Sequence, residues 1–152
     1  MDIKALQIIA EINTNSQLQQ RVDQFENLLS ELRKKALTES LVVAINKMID
    51  EINGVTTEKE LQKVLRKMPS RLMQQVEKEA KIVPKFYYRN LWMALGMSAF
   101  GIPMGVVFGL ILKNMAFLGI GLPIGMSIGI AVGTAMDKKA LDEGRQLDIV
   151  IK

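Results

Sequence analysis

Two residue types are missing from this sequence altogether: it contains no cysteine and no histidine. Without cysteine there is no disulfide framework and no thiolate metal site. Without histidine the chain lacks the usual general base and the commonest metal ligand. Phosphate loops, metal-binding clusters and nucleophile motifs are absent too, so the expectation is a protein that is not an enzyme and holds no cofactor or metal. A secretory signal is also missing from the start, since Met1–Ile12 carries Asp2 and Glu11 and lacks a small-residue cleavage site. Charge itself is absent from one long stretch, Asn90–Met136, where Lys113 is the single ionisable residue.

That stretch reads as two apolar segments joined at Lys113-Asn114. Each is long enough, at about 1.5 Å rise per residue, to cross a hydrocarbon core of roughly 30 Å. The other 19 of the chain's 20 basic residues and all 16 acidic residues lie outside it, which implies one aqueous and one lipid environment. The expected fold is therefore all-α: a cytoplasmic helical bundle followed by a two-span antiparallel transmembrane helical hairpin. The expected divisions are a cytoplasmic helical domain (1–80), a basic and aromatic juxtamembrane segment (81–89), the hairpin (90–136, spans 90–112 and 115–136) and a cytoplasmic tail (137–152).

The first ninety residues carry helical stripes. Ile3, Leu6, Ile9 and Ile12 recur at intervals of three, and Asn13-Thr14-Asn15-Ser16 breaks them, with Asn15 or Ser16 as a cap. Leu18, Val22, Phe25, Leu29 and Leu32 follow heptad spacing, which suits either the core of a small bundle or a coiled-coil seam between subunits. Thr38 can cap a stripe of Leu41, Ile45, Met48 and Ile52 that stops at Gly54. Thr57 and Glu60 match a capping box, Pro69 is expected to end or bend the helix that follows, and Pro84 interrupts again. Arg33-Lys34-Lys35 and Arg66-Lys67 read as solvated faces. Acids are mixed among them and no aromatics interleave, so no nucleic-acid partner is expected.

The flanks of the apolar stretch orient it. Lys81, Lys85 and Arg89 precede the first span and Lys138 and Lys139 follow the second, while the turn holds Lys113 alone. Short segments rich in Lys and Arg stay on the cytoplasmic side, so both termini are expected there, in the inner (plasma) membrane of a bacterial cell. Tyr87, Tyr88 and Trp92 cluster at the entry to the first span, at headgroup depth. These residues form the expected membrane interface.

Glycine supplies the sharpest pattern. Gly101, Gly105 and Gly109 recur every four residues in the first span, and Gly121, Gly125, Gly129 and Gly133 do so in the second. Such a face lets another helix approach closely. Gly101–Gly105 also repeats as Gly121–Gly125, with Pro103 and Pro123 as matched helix breaks. The pattern resembles that of glycine-zipper membrane hairpins, a class of small bacterial membrane proteins. The resemblance covers the hairpin alone and implies close helix packing, oligomerisation and, in some members, a pore. Rotary-ring subunits of ATP synthases pair similar helices, but they need an intramembrane carboxylate that neither span has.

These features point to a homo-oligomeric integral membrane protein that forms a pore or perturbs the bilayer, of a toxin or defence type, under control of its cytoplasmic domain. Ser98, Asn114, Ser127 and Thr134 are the candidate pore-lining residues. The alternative is a membrane-tethered adaptor whose N-terminal helices recruit a cytoplasmic protein partner without conducting ions. Besides such a partner, the partners expected are the lipid bilayer and further copies of the chain.

Overall fold

A computed structural model describes residues 2–7 and 16–151. Among them the chain forms five helices and no strand: α1 (Ser16–Arg33), α2 (Glu39–Asn53), α3 (Glu58–Ala80), α4 (Tyr87–Ile111) and α5 (Met115–Asp142). The contacts divide the chain into two compact units. One comprises Met1–Val83 with Leu147–Ile149, the other Pro84–Gln146 with Val150–Lys152. The all-α class, with a helical region ahead of two long apolar helices, is the architecture the periodicities predict.

In the first unit α3 packs against both α1 and α2. Leu18, Phe25, Leu29 and Leu32 are all buried, so the heptad stripe of α1 lies in the interior of this unit. Leu41, Ile45, Ile49 and Ile52 line the inner face of α2, and Leu61, Leu65, Leu72 and Val76 that of α3. At about 1.5–3 kcal/mol for each large apolar side chain removed from water, this face is what holds the unit together. It also explains Pro69, which neither ends nor breaks α3: the helix runs unbroken through it for 23 residues. The apolar face continues on both sides of the proline, from Leu61 to Val76, while Pro69 itself sits half-exposed.

The helix ends differ in detail from expectation. Thr57 precedes α3, but its hydroxyl bonds the Glu60 carboxylate at 3.0 Å rather than a backbone amide. Gly54 closes α2 in right-handed geometry, so its tolerance of positive φ is not used. Lys81 adopts positive φ and ends α3, after which Ile82 and Val83 are buried. Residues 2–7 are not helical. They form an extended segment along α2, while Ile9, Ile12 and the break at Asn13–Asn15 lie outside the described residues.

The first unit also takes in Leu147–Ile149 from beyond α5. Leu147 is fully buried, its amide donates to the Val83 carbonyl at 2.9 Å, and the Asp148 amide donates to Glu31 Oε2 at 3.2 Å. Lys34 donates to the other carboxylate oxygen of Glu31. That bond, seconded by the Asp148 amide, holds the Glu31 carboxyl below the usual range, and raises Lys34 in turn.

The depressed acid has a defined sign. Its contribution is complete above the ordinary Glu pKa and is lost as pH falls through the lower folded value. Glu31→Gln is therefore expected to cost on the order of 1 kcal/mol at neutral pH and nothing once pH is low enough to protonate the wild-type acid. Denaturant unfolding of both chains across pH checks this: the two curves should converge toward acid and separate toward neutrality.

Candidate functional site: the glycine-lined hairpin and its outer face

α4 and α5 are each long and apolar enough to cross a membrane. They run antiparallel, joined by a turn in which Lys113 takes positive φ. Asn114 caps the start of α5, its Oδ1 accepting from the Ala116 amide at 3.0 Å. In their most apolar windows only 22% of α4 and 17% of α5 residues are buried, so the pair presents apolar surface on nearly every side. Leu110, Ile111 and Met115 are each more than half exposed.

What is buried between the helices is glycine. Gly96, Gly101, Gly105 and Gly109 on α4 and Gly121, Gly125, Gly129 and Gly133 on α5 are the buried residues of the spans. A Cβ added at Gly96, Gly105, Gly121, Gly125, Gly129 or Gly133 would lie less than 3.0 Å from backbone atoms of the opposite helix. Gly121 faces Gly101 and Gly105, Gly125 faces Gly96 and Gly101, Gly129 faces Trp92, and Gly133 faces Tyr88 and Arg89. The two ladders thus close on each other within one chain.

A π-helical turn, Met97–Gly101, makes this register work. Gly96 and Gly101 are five apart, which would rotate Gly96 off the face of Gly101, Gly105 and Gly109 in a regular α-helix. The wider turn absorbs the extra residue and returns Gly96 to the seam. It lies immediately before Pro103, whose missing N–H already frees a carbonyl one turn back. α5, by contrast, continues helically through Pro123.

Asp137 is the residue of this seam that the sequence reading passed over. It continues the α5 ladder one rung past Gly133, and it is the one buried charged side chain among the described residues, at 7% exposure. Its carboxylate accepts the Tyr88 and Arg89 amides, both at 3.0 Å. The Tyr87 amide bonds the Pro84 carbonyl and the Asn90 amide bonds that of Phe86, so the first turn of α4 is fully satisfied. Helix α4 is capped by the helix beside it rather than by its own preceding residue, and the negative charge complements its dipole. The signal available in sequence was the four-residue spacing, which runs from Gly121 to Asp137 without a gap.

Tyr88 and Arg89, two of the residues expected at the membrane interface, are the ones this cap engages. The Tyr87 and Tyr88 rings meet edge to face at 5.2 Å, and the Arg89 guanidinium lies 4.1 Å from the Phe86 ring centre. Arg145 bonds Glu143 and Tyr88, which raises its pKa further. Lys138 and Lys139 are exposed, with Lys139 3.9 Å from Glu143. Trp92 and Lys85 are half-exposed; Lys81 belongs to the first unit. Of the candidate pore residues, Ser98 donates to the Ala94 and Leu95 carbonyls at 3.1 Å and Ser127 to Pro123 at 2.8 Å, while Thr134 is exposed.

A second stripe lies on the far side of α5. Gly119, Pro123, Ser127, Ala131 and Ala135 recur every four residues and all are exposed. They sit two residues from the buried ladder, about 200° around the helix at ~100° per residue. A Cβ at Gly119 would meet nothing within 4 Å. Comparison with protein-family models, with curated proteins and with solved structures returned no match.

Two substitutions test the geometry. Gly129→Leu, aimed at the Trp92 backbone, is expected to destabilise the hairpin by at least about 2 kcal/mol, the order of an overpacking penalty. Gly119→Leu, facing open space, should leave hairpin stability within ~0.5 kcal/mol, as surface changes do. Asp137→Ala removes the only acceptor of two amides and should cost about 1–3 kcal/mol, with faster hydrogen exchange at Tyr88 and Arg89. Unfolding in mixed micelles and amide exchange measure these directly.

Proposed function

We propose that this chain is an integral membrane protein that assembles with copies of itself, and that the assembly forms a pore or perturbs the bilayer under control of the N-terminal helical unit. The observation that carries the reading is the outer stripe of α5. Both glycine ladders are already occupied by each other, yet a second line of small residues faces outward at the spacing that close helix packing uses. A plain anchor needs no such face. Small residues on it would let α5 of one hairpin approach a helix of the next, in the manner of the glycine-zipper hairpins this segment resembles.

Lys85, Arg89, Lys138 and Lys139, set at the same end of the hairpin, support a cytoplasmic location for that end in the plasma membrane, with Lys113 on the opposite side. A second reading, a membrane-tethered adaptor that does not conduct, draws on a specific observation. The Ser98 and Ser127 hydroxyls are engaged by carbonyls of their own helices, so the helices offer a water-filled lumen few polar groups.

The purified full chain in nanodiscs is expected to show a particle mass at a multiple of 17.0 kDa. Ser127→Leu combined with Ala131→Leu should reduce that mass toward one chain while leaving hairpin stability intact. Vesicles bearing the wild type should release a trapped dye, and those bearing the double variant should not. A wild-type particle of one chain would overturn the assembly; a stable oligomer in tight vesicles would favour the adaptor.

A further inference from the structure

The extended N-terminal segment is held in a way that defines a binding groove. Its backbone is read by side chains rather than by another strand. The Asn46 amide pairs with it in both directions, Nδ2 donating to the Asp2 carbonyl at 3.1 Å and Oδ1 accepting the Lys4 amide at 2.8 Å. Asn53 Oδ1 accepts the Gln7 amide at 2.8 Å, and Arg33 Nη2 donates to the Lys4 carbonyl at 2.7 Å. Asn46, Asp50 and Asn53 are spaced by four and three, so they form one face of α2. These backbone bonds would hold any extended peptide of the same length.

Two side-chain sites add selectivity. Ile3 is buried, at 9% exposure, and together with Leu32, Leu37 and Val42 it lines a cavity of about 320 Å³. The next residue, Lys4, places its ammonium against both Asp50 oxygens, at 2.8 and 2.7 Å. The segment held on this face thus presents an apolar residue followed directly by a basic one. Most of the polar contacts that secure the segment are solvent-exposed, so each contributes little against water. What favours the chain's own segment is its tether, which raises its local concentration.

We propose that this face of the helical unit is a peptide-docking site, that its ligand is an extended apolar-basic segment of a partner protein, and that residues 2–7 occupy it as an internal competitor. Exchange is chemically even: the arriving peptide supplies the same carbonyl, amide, apolar and ammonium groups that the departing segment withdraws. A second copy of this chain is the competing occupant, since its residues 2–7 carry the same groups. The site goes beyond the proposed assembly and stands or falls separately from it, since peptide binding and particle mass are read independently.

The probe is a fluorescent peptide of residues 1–7, MDIKALQ, added to the full chain in detergent. Ile3→Asp combined with Lys4→Glu in the protein releases the internal segment. That variant should bind the peptide about tenfold or more tightly than the wild type does, the advantage of removing a tethered competitor. Adding Asn46→Ala and Asp50→Ala should abolish binding, and a peptide carrying the same Ile-to-Asp and Lys-to-Glu changes should not bind. In the wild type, which needs no variant to fold, excess peptide should accelerate hydrogen exchange at the Lys4 and Gln7 amides. A helical, released variant that fails to bind, binding indifferent to Asn46 and Asp50, or unchanged exchange at Lys4 and Gln7 would each overturn the proposal. Unlabelled wild-type chain competing as well as free peptide would assign the groove to a second copy and overturn the partner.

Discussion

Backbone lies directly against backbone along most of the seam of α4 and α5, and the rest of the hairpin is arranged to keep that contact. Glycine in a helix interior costs about 1 kcal/mol relative to alanine in water, and eight are placed on this one seam. In an apolar solvent the hydrophobic effect does not hold helices together, so close van der Waals contact must. The seam then dictates its own ends. At one, the helices separate through a turn at Lys113; at the other, the ladder position after Gly133 holds Asp137, which caps the exposed amides of α4. The π-helical turn follows from the same demand, since it keeps Gly96 in line.

With the inner faces committed to each other, the outside of the hairpin acquires a separate meaning. Its large residues, such as Leu95, Phe100 and Val107, are exposed and suit lipid. The outer stripe of α5, from Gly119 to Ala135, is the exception to that bulk. The glycines themselves are the contacts within one chain, and the smaller residues behind them are the surface on which the proposed assembly depends. Separating these two roles lets each be altered without the other.

Much of this was legible from residue order. The apolar stretch, its two halves, the helical stripes ahead of it and the four-residue glycine spacing depend on local periodicity, which sequence displays directly. Other features depend on pairing, which it does not. Gly96 lies outside the four-residue spacing because its place in the seam requires a local change of helix geometry. Asp137 looked like the first residue of a polar tail because the amides it accepts lie 48 and 49 positions earlier. Pro69 was expected to end or bend a helix, and it does not end α3, because a buried face continuous across it outweighs one missing hydrogen bond. Ile3 and Leu6 matched a short helical stripe, whereas side chains on α2 and α1 hold residues 2–7 extended. Arg33 read as part of a solvated basic block and instead grips that segment.

The closed hairpin requires the ladders to meet within a single chain. Solid-state NMR of protein labelled with ¹³C at glycine and reconstituted in bilayers tests this without any substitution. Contacts between Gly125 and Gly96 or Gly101, and between Gly121 and Gly101 or Gly105, are expected to persist undiminished per labelled chain when it is diluted with an excess of unlabelled chain. Loss of those contacts on dilution would place the partners on different chains and contradict the closed hairpin from which the outer stripe derives its role.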